Sequence, residues 1–209
     1  MKRTLIFALM AACSLAQAEV YLRSAHAVPN APKMDIYLDD QAIAQNVDFM
    51  TVTPFLKVTS AIHTLRLTPA GQKDQTLLSM DTDLSDDFAY TLEIIAAGKD
   101  LDVNLVAYNF TDTEEGKANL SVQDMVPGDE HLDLNWNVEK HFEAMAFMDT
   151  WDTKLDPGKG KLVFLASATG NTLAETPEVG VESGKFYSLL AFPTGSGKIH
   201  LTFLEDTLK

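Results

Sequence analysis

Five histidines, His26, His63, His131, His141 and His200, and an acidic run, Asp81-Thr82-Asp83 with Asp86 and Asp87, are the side chains most able to do chemistry in this sequence. Zinc sites use His, Cys, Asp or Glu at short, recurring spacings, and no H-E-x-x-H, His-x-His or Cys/His pattern occurs. A nucleophile, base and orienting group need not be neighbours in sequence, so a dispersed catalytic site stays open. No serine sits in a G-x-S-x-G elbow, however, and no catalytic residue is assigned. Calcium takes six to eight oxygen ligands, which the acidic run could supply. The run lacks the glycine and terminal glutamate of an EF-hand loop, so it reads as a solvated edge, and metal content is left unknown. No cofactor is expected. His26, beside a proline-rich turn, reads as a satisfied structural residue.

The aromatic residues point to binding instead. Trp136 follows Leu132 and Leu134 in alternation and is expected in a core. Trp151 stands among Asp149, Thr150, Asp152 and Thr153, a polar setting that predicts exposure. An exposed aromatic ringed by carboxylates suits a sugar face or a protein hot spot. Tyr37, with Asp35 on the outward face of its strand, is the second candidate. The predicted binding residues are therefore Trp151, Asp149, Asp152, Tyr37 and Asp35.

Strands must position these residues, because period-two alternation dominates. Val20, Leu22, Ser24 and His26 share one face of a strand, with Tyr21, Arg23 and Ala25 on the other. Met34, Ile36 and Leu38 alternate with Asp35, Tyr37 and Asp39 in the same way. Turn chemistry separates the runs at Pro29-Asn30-Ala31-Pro32, Asp39-Asp40, Pro69-Ala70-Gly71, Ala97 to Asp100, Pro157-Gly158 and Thr194 to Gly197. Glu139 to Met148 is the one stretch whose spacing also fits a helix, and no helix is assigned to it. The strand pattern is written twice. At an offset of about ninety-eight residues, Val28-Pro29 falls on Val126-Pro127, Met34-Asp35-Ile36 on Leu132-Asp133-Leu134, and Phe49-Met50 on Phe147-Met148. After a one-residue slip, Tyr90-Thr91-Leu92 falls on Tyr187-Ser188-Leu189. The prediction is an all-β chain of two tandem immunoglobulin- or transthyretin-like β-sandwich modules related by internal duplication, 19–108 and 118–209, joined by the acidic segment 109–117. Residues shared by the copies report the fold, so a specific role is expected where they differ, foremost in the second copy with Trp151 and its acidic neighbours; His26 stands against Asp124 and His63 against Gly160, and both histidines read as structural.

Residues 1–18 read as a cleaved signal peptide, with Lys2-Arg3, a short apolar core and Ala16-Gln17-Ala18. Cys13, the single cysteine, lies inside it. A lipoprotein box at Met10-Ala11-Ala12-Cys13 is disfavoured, because Met is a poor first residue and the strand pattern begins almost at once. The mature chain is then expected to be periplasmic or secreted and free of thiols, which excludes a disulfide framework. Thirty acidic against sixteen basic residues predict repulsion of nucleic acid. No further apolar run reaches membrane length. Oligomeric state is not legible.

The segment from Arg23 to Tyr37, Arg-Ser-Ala-His-Ala-Val-Pro-Asn-Ala-Pro-Lys-Met-Asp-Ile-Tyr, resembles the opening of the domain of unknown function family 4397. The likeness continues through Val58 to Arg66 and Tyr90-Thr91-Leu92, and is faint over the second copy, which loses the Arg-x-x-His and Asp-x-Tyr pairs. The resemblance implies an exported β-sandwich, often in tandem, with no established activity. The expectation is a non-enzymatic envelope protein that binds another periplasmic protein or a polysaccharide. A hydrolase or metal-dependent enzyme with a dispersed site and a calcium-stabilised structural protein are the alternatives.

Overall fold

The structure, a computed structural model, describes residues 18–84, 89–128, 130–194 and 196–208. Residues 1–17, which hold most of the expected signal peptide and Cys13, and the carboxylates Asp86 and Asp87 lie outside the described residues. Among the described residues the regular structure is all strand. The first repeat holds β1 (Glu19–His26), β2 (Met34–Leu38), β3 (Gln41–Val47), β4 (Leu56–Thr59), β5 (Ala61–Pro69), β6 (Leu78–Leu84), β7 (Ala89–Ala97) and β8 (Asp100–Tyr108). The second holds β9 (Ala118–Asp124), β10 (Leu132–Trp136), β11 (Glu139–Met145), β12 (Thr150–Leu155), β13 (Gly158–Gly160), β14 (Leu162–Ala166), β15 (Thr172–Glu175), β16 (Val179–Val181), β17 (Phe186–Pro193) and β18 (Ile199–Asp206). The stretch whose spacing also allowed a helix is therefore strand β11 and the turn after it.

Each repeat makes two four-stranded sheets with one topology. The first has β4-β1-β7-β8 facing β3-β2-β5-β6; the second has β12-β9-β17-β18 facing β11-β10-β14-β15, with a β13-β16 ribbon beside it. In both copies the opening strand pairs parallel with the penultimate strand, β1 with β7 and β9 with β17. The alternation of the strands builds each core. Leu22, Ile36, Leu65, Leu67 and Leu92 meet between the first pair of sheets, and Leu120, Leu134, Trp136, Phe164 and Leu189 between the second. The one-residue slip between copies falls in the fourth strand. Val52 lies opposite Ala25 as Thr150 lies opposite Gln123, but Leu56 lies opposite Leu22 as Thr153 lies opposite Leu120. Pro54-Phe55 of the first copy thus occupies the place of Asp152 alone.

The other faces of the β1 and β9 sheets are buried too. Ala25, Ala27 and Ile95 of the first repeat form one cluster with Met125, Leu190 and Phe192 of the second. The molecule is therefore four layers of sheet, with the two equivalent sheets back to back in the middle. That is why β1, β7, β9 and β17 are buried along almost their whole length.

Candidate functional site

Residues common to both copies are used for backbone architecture. Asp35 Oδ1 accepts the Asn46 amide at 2.9 Å and its Oδ2 accepts the Gly71 amide at 2.8 Å. Asp133 Oδ1 accepts the Ala144 amide at 3.0 Å. Asn46 and Ala144 both take positive φ, 55° and 58°, at a bulge in the third strand of each copy. The carboxylate fixes that bulge. Asp35 is thus buried, contrary to its expected outward exposure. Tyr37 is covered as well, because the Arg66 guanidinium lies 4.6 Å from its ring centre and the Lys73 ammonium 5.5 Å away.

The second predicted cluster is divided by the strand pleat. Trp151 points to the sandwich side of β12 and packs on Phe142 of β11, with ring centres 5.3 Å apart and 38% of the residue exposed. Asp152 is exposed and points the other way, towards a narrow cleft shared with Lys154 and Asp206. Asp149 is half-buried and its Oδ2 accepts the Ala146 amide at 2.8 Å, closing its own turn. The five predicted residues do not converge on one face. Asp81 and Asp83 lie on β6, and no group of three His, Cys, Asp or Glu side chains able to hold a metal occurs among the described residues.

What separates the copies is the seam between the third and fourth strands. In the second module four large side chains fill it: Trp136, His141, Phe142 and Trp151, with His141 Nδ1 3.4 Å from Thr153 Oγ1 across the seam. Their equivalents in the first module, by strand register, are Leu38, Ile43, Ala44 and Thr53. At the Leu38 and Ile43 end of this seam lies a cleft of about 400 Å³ between β3 and β4. Leu38, Ala42, Ile43, Leu56 and Val58 give it aliphatic walls, and Glu19, Gln41, Lys57, Asp39, Thr59 and His63 a polar rim. Its size and mixed lining fall in the range of small-ligand and side-chain pockets.

His63 closes one end of this cleft. Its Nδ1 lies 2.5 Å from Asp39 Oδ2 and its Nε2 2.7 Å from the Thr59 carbonyl. Both partners are acceptors, so both ring nitrogens must carry a proton and the ring is an imidazolium. Burial opposes that charge, but the bonds to Thr59 and Asp39 outweigh it and hold the pKa above the ordinary histidine value. The Asp39 carboxyl is held below its ordinary range, chiefly by His63 and then by the Thr64 amide. The second copy lacks this clamp. Gly160 stands where His63 would be, and the Asn137 side chain fills the vacated space. His26 is different in kind. Its Nδ1 accepts the Val28 amide at 3.2 Å, so it is a neutral ring in a turn, and burial lowers its pKa.

A second polar cluster lies between the modules. Arg23, 3% exposed, bonds Asp206 Oδ1 at 2.6 Å, Ser188 Oγ at 2.7 Å, Thr91 Oγ1 at 2.7 Å and the Tyr108 hydroxyl at 3.1 Å. Gln123 donates to the same Tyr108 hydroxyl. Deeper in the joint are two carboxyls of opposite modules, Glu93 and Asp124, each 1% exposed. Glu93 Oε2 accepts the Asn104 amide at 2.8 Å and Asp124 Oδ1 the Val126 amide at 2.9 Å, but Glu93 Oε1 and Asp124 Oδ2 have no partner. Burial first, then repulsion by Asp124, pushes Glu93 up to about 8; burial first, then Asp149, pushes Asp124 up to about 7. These groups join modules and offer no accessible reactive centre.

Sequence reasoning missed the cleft because a cleft is missing volume. The signal was present in Gln41 to Asn46, an uncharged, mostly small run opposite Glu139, Lys140, His141 and Phe142. Residues 20–123 match the family described as a domain of unknown function, DUF4397, a span that covers the first module and β9 of the second. No curated protein matches the chain.

Proposed function

We propose that the chain, whose residues 20–123 match the family DUF4397, is an exported, non-enzymatic adaptor that holds another envelope protein in the cleft between β3 and β4. The observation that carries this is the difference between the copies. One fold, written twice, carries Trp136 and His141 in one module where Leu38 and Ile43 line an open cleft in the other. A duplicated scaffold has no packing reason to keep a cleft of about 400 Å³ open, because filling such a space with apolar side chains stabilises the fold. A protein segment suits the site better than a polysaccharide. The walls are aliphatic, and Tyr37 on the neighbouring strand lies under Arg66 and Lys73 and offers no free ring face for a sugar.

The test is photocrosslinking in the native envelope, with a benzophenone amino acid placed at Ile43 or, in the matched position of the second module, at His141. The expected result is one discrete protein adduct from position 43 and none from 141. Equal labelling from both positions, or no specific adduct from 43, refutes the proposal.

A further inference from the structure

We infer that the partner enters as an extended strand added to the free edge of β3, with large apolar side chains entering the cleft and basic residues at its two ends. This rests on the cleft being the binding site and adds how it binds. Open sheet edges invite pairing with foreign strands, and proteins blunt them with charged side chains. The edge strands of the four-stranded sheets follow that rule with one exception. β4 carries Lys57, β8 carries Asp100 and Asp102, and β6 carries Asp81 and Asp83. In the second module β12 carries Asp152 and Lys154, β18 carries Glu205 and Asp206, and β15 carries Glu175. β11, the duplicate of β3, carries Glu139, Lys140 and Glu143. β3, Gln-Ala-Ile-Ala-Gln-Asn-Val, carries no charge and is the end strand of its sheet. Both copies share the same bulges in this strand, so the bulges do not explain the difference.

A strand laid on this edge lies over the mouth of the cleft. Every second side chain then points between β3 and β4 onto Leu56 and Val58; in the second module His141, the counterpart of Ile43, reaches Thr153, the counterpart of Leu56. Strand addition draws affinity from main-chain bonds and specificity from pockets for alternate side chains. Charge decides the flanks and excludes a second copy of this chain. Asp39 and Asp40 stand at one end of β3 and Asp48 at the other, each with more than half of its side chain exposed despite one bonded cation. Two such edges, each from a chain with thirty acidic and sixteen basic residues, repel one another.

The probe is a phage-displayed library of random twelve-residue peptides, selected on the full mature chain alone, the winners then being measured on Ala42→Lys, which installs the duplicate's own edge charge at an exposed position. The expected winners alternate apolar residues between Lys or Arg flanks, lose at least tenfold in affinity for A42K, and slow amide exchange at least tenfold within residues 41–47. Methylating alternate peptide nitrogens, which changes neither protein nor peptide side chains, should abolish binding. Winners that bind A42K unchanged, tolerate that methylation or leave β3 exchange untouched overturn strand addition, as does an adduct of the chain with itself from position 43. A foreign adduct from position 43 with unprotected β3 amides leaves the cleft reading standing and removes only the strand. Loss of both removes both.

Discussion

Raising the pH from 5 to 8 should weaken this protein, and substituting Glu93 by Gln should remove much of that sensitivity. Glu93 and Asp124 come from different modules and meet in the buried joint with one unpartnered oxygen each. An ionised carboxylate there has lost water without gaining a full set of donors, so the folded chain keeps a proton that the unfolded chain has released. Glu93 stands at about 8 against an ordinary 4.5, and Asp124 at about 7 against 3.8. The folded state binds more protons across the window between those values, so stability falls as pH rises through it. The contribution is fully present below about pH 4, is lost progressively, and is gone above about pH 8. At about 1.4 kcal/mol per unit, the Glu93 shift corresponds to about 5 kcal/mol over the whole window and about 3 kcal/mol between pH 5 and 8.

Urea unfolding at half-unit steps from pH 5 to 8.5 measures this. The parent should lose stability steeply. Glu93→Gln keeps an acceptor for Asn104, which donates to Glu93 Oε2 at 2.8 Å, and cannot ionise, so its curve should be flatter by about 1 kcal/mol per pH unit near pH 6. Arg23 on β1, Asn104 on β8, Asp124 on β9 and Asp149 beside β12 are the charged and polar groups around the pair. Parallel curves for parent and variant, or a parent whose stability rises between pH 5 and 8, would refute the reasoning.

Two other perturbations test the differences between the copies. His63 should titrate above the ordinary histidine range in an NMR pH series, and Asp39→Asn should bring its pKa down; the clamp's stabilisation is present below about pH 6.5 and disappears as pH passes His63's raised folded-state pKa. Gly160→Ala should cost about 1–3 kcal/mol in thermal or urea unfolding, because its new methyl overlaps the Asn137 side chain. Asn137→Gly should recover part of that loss, since residue 137 sits at φ 56°, where glycine is unstrained.

The duplication and the strands were legible because the core face of each strand repeats with period two, and a core tolerates little deviation from it. The middle of the molecule was not legible. Tyr21, Arg23 and Ala25, with Thr91, Glu93 and Ile95 on the paired strand, read as a mixed outer face fit for solvent. Arg23 instead crosses to Asp206 and Ser188, residues 183 and 165 positions away. Alternation reports which residues share a face, and it does not say whether water or a second sheet covers that face. Trp151 is 38% exposed, as its polar sequence setting predicts, but without a ring of carboxylates around it. Its neighbours Asp149 and Asp152 are adjacent in sequence, but the pleat and a turn send them elsewhere.

Comparing the copies position by position separates changes of residue from changes of role. His26 and Asp124 look like a functional difference, but each accepts the amide two residues ahead, Val28 at 3.2 Å and Val126 at 2.9 Å. Asp39 and Asn137 likewise each accept the amide that follows the His63 or Gly160 position, Thr64 at 2.8 Å and Lys161 at 3.0 Å. In these pairs a different side chain holds the same turn. The third strand behaves otherwise. Between β3 and β11, Gln41, Ala42, Ile43 and Ala44 give way to Glu139, Lys140, His141 and Phe142, which charges an edge and plugs a seam in one step. No backbone group requires that exchange, because the bulge geometry and its carboxylate are common to both copies. The difference acts on what can approach the edge from outside, and for that reason the proposed binding cleft is sought in the first module.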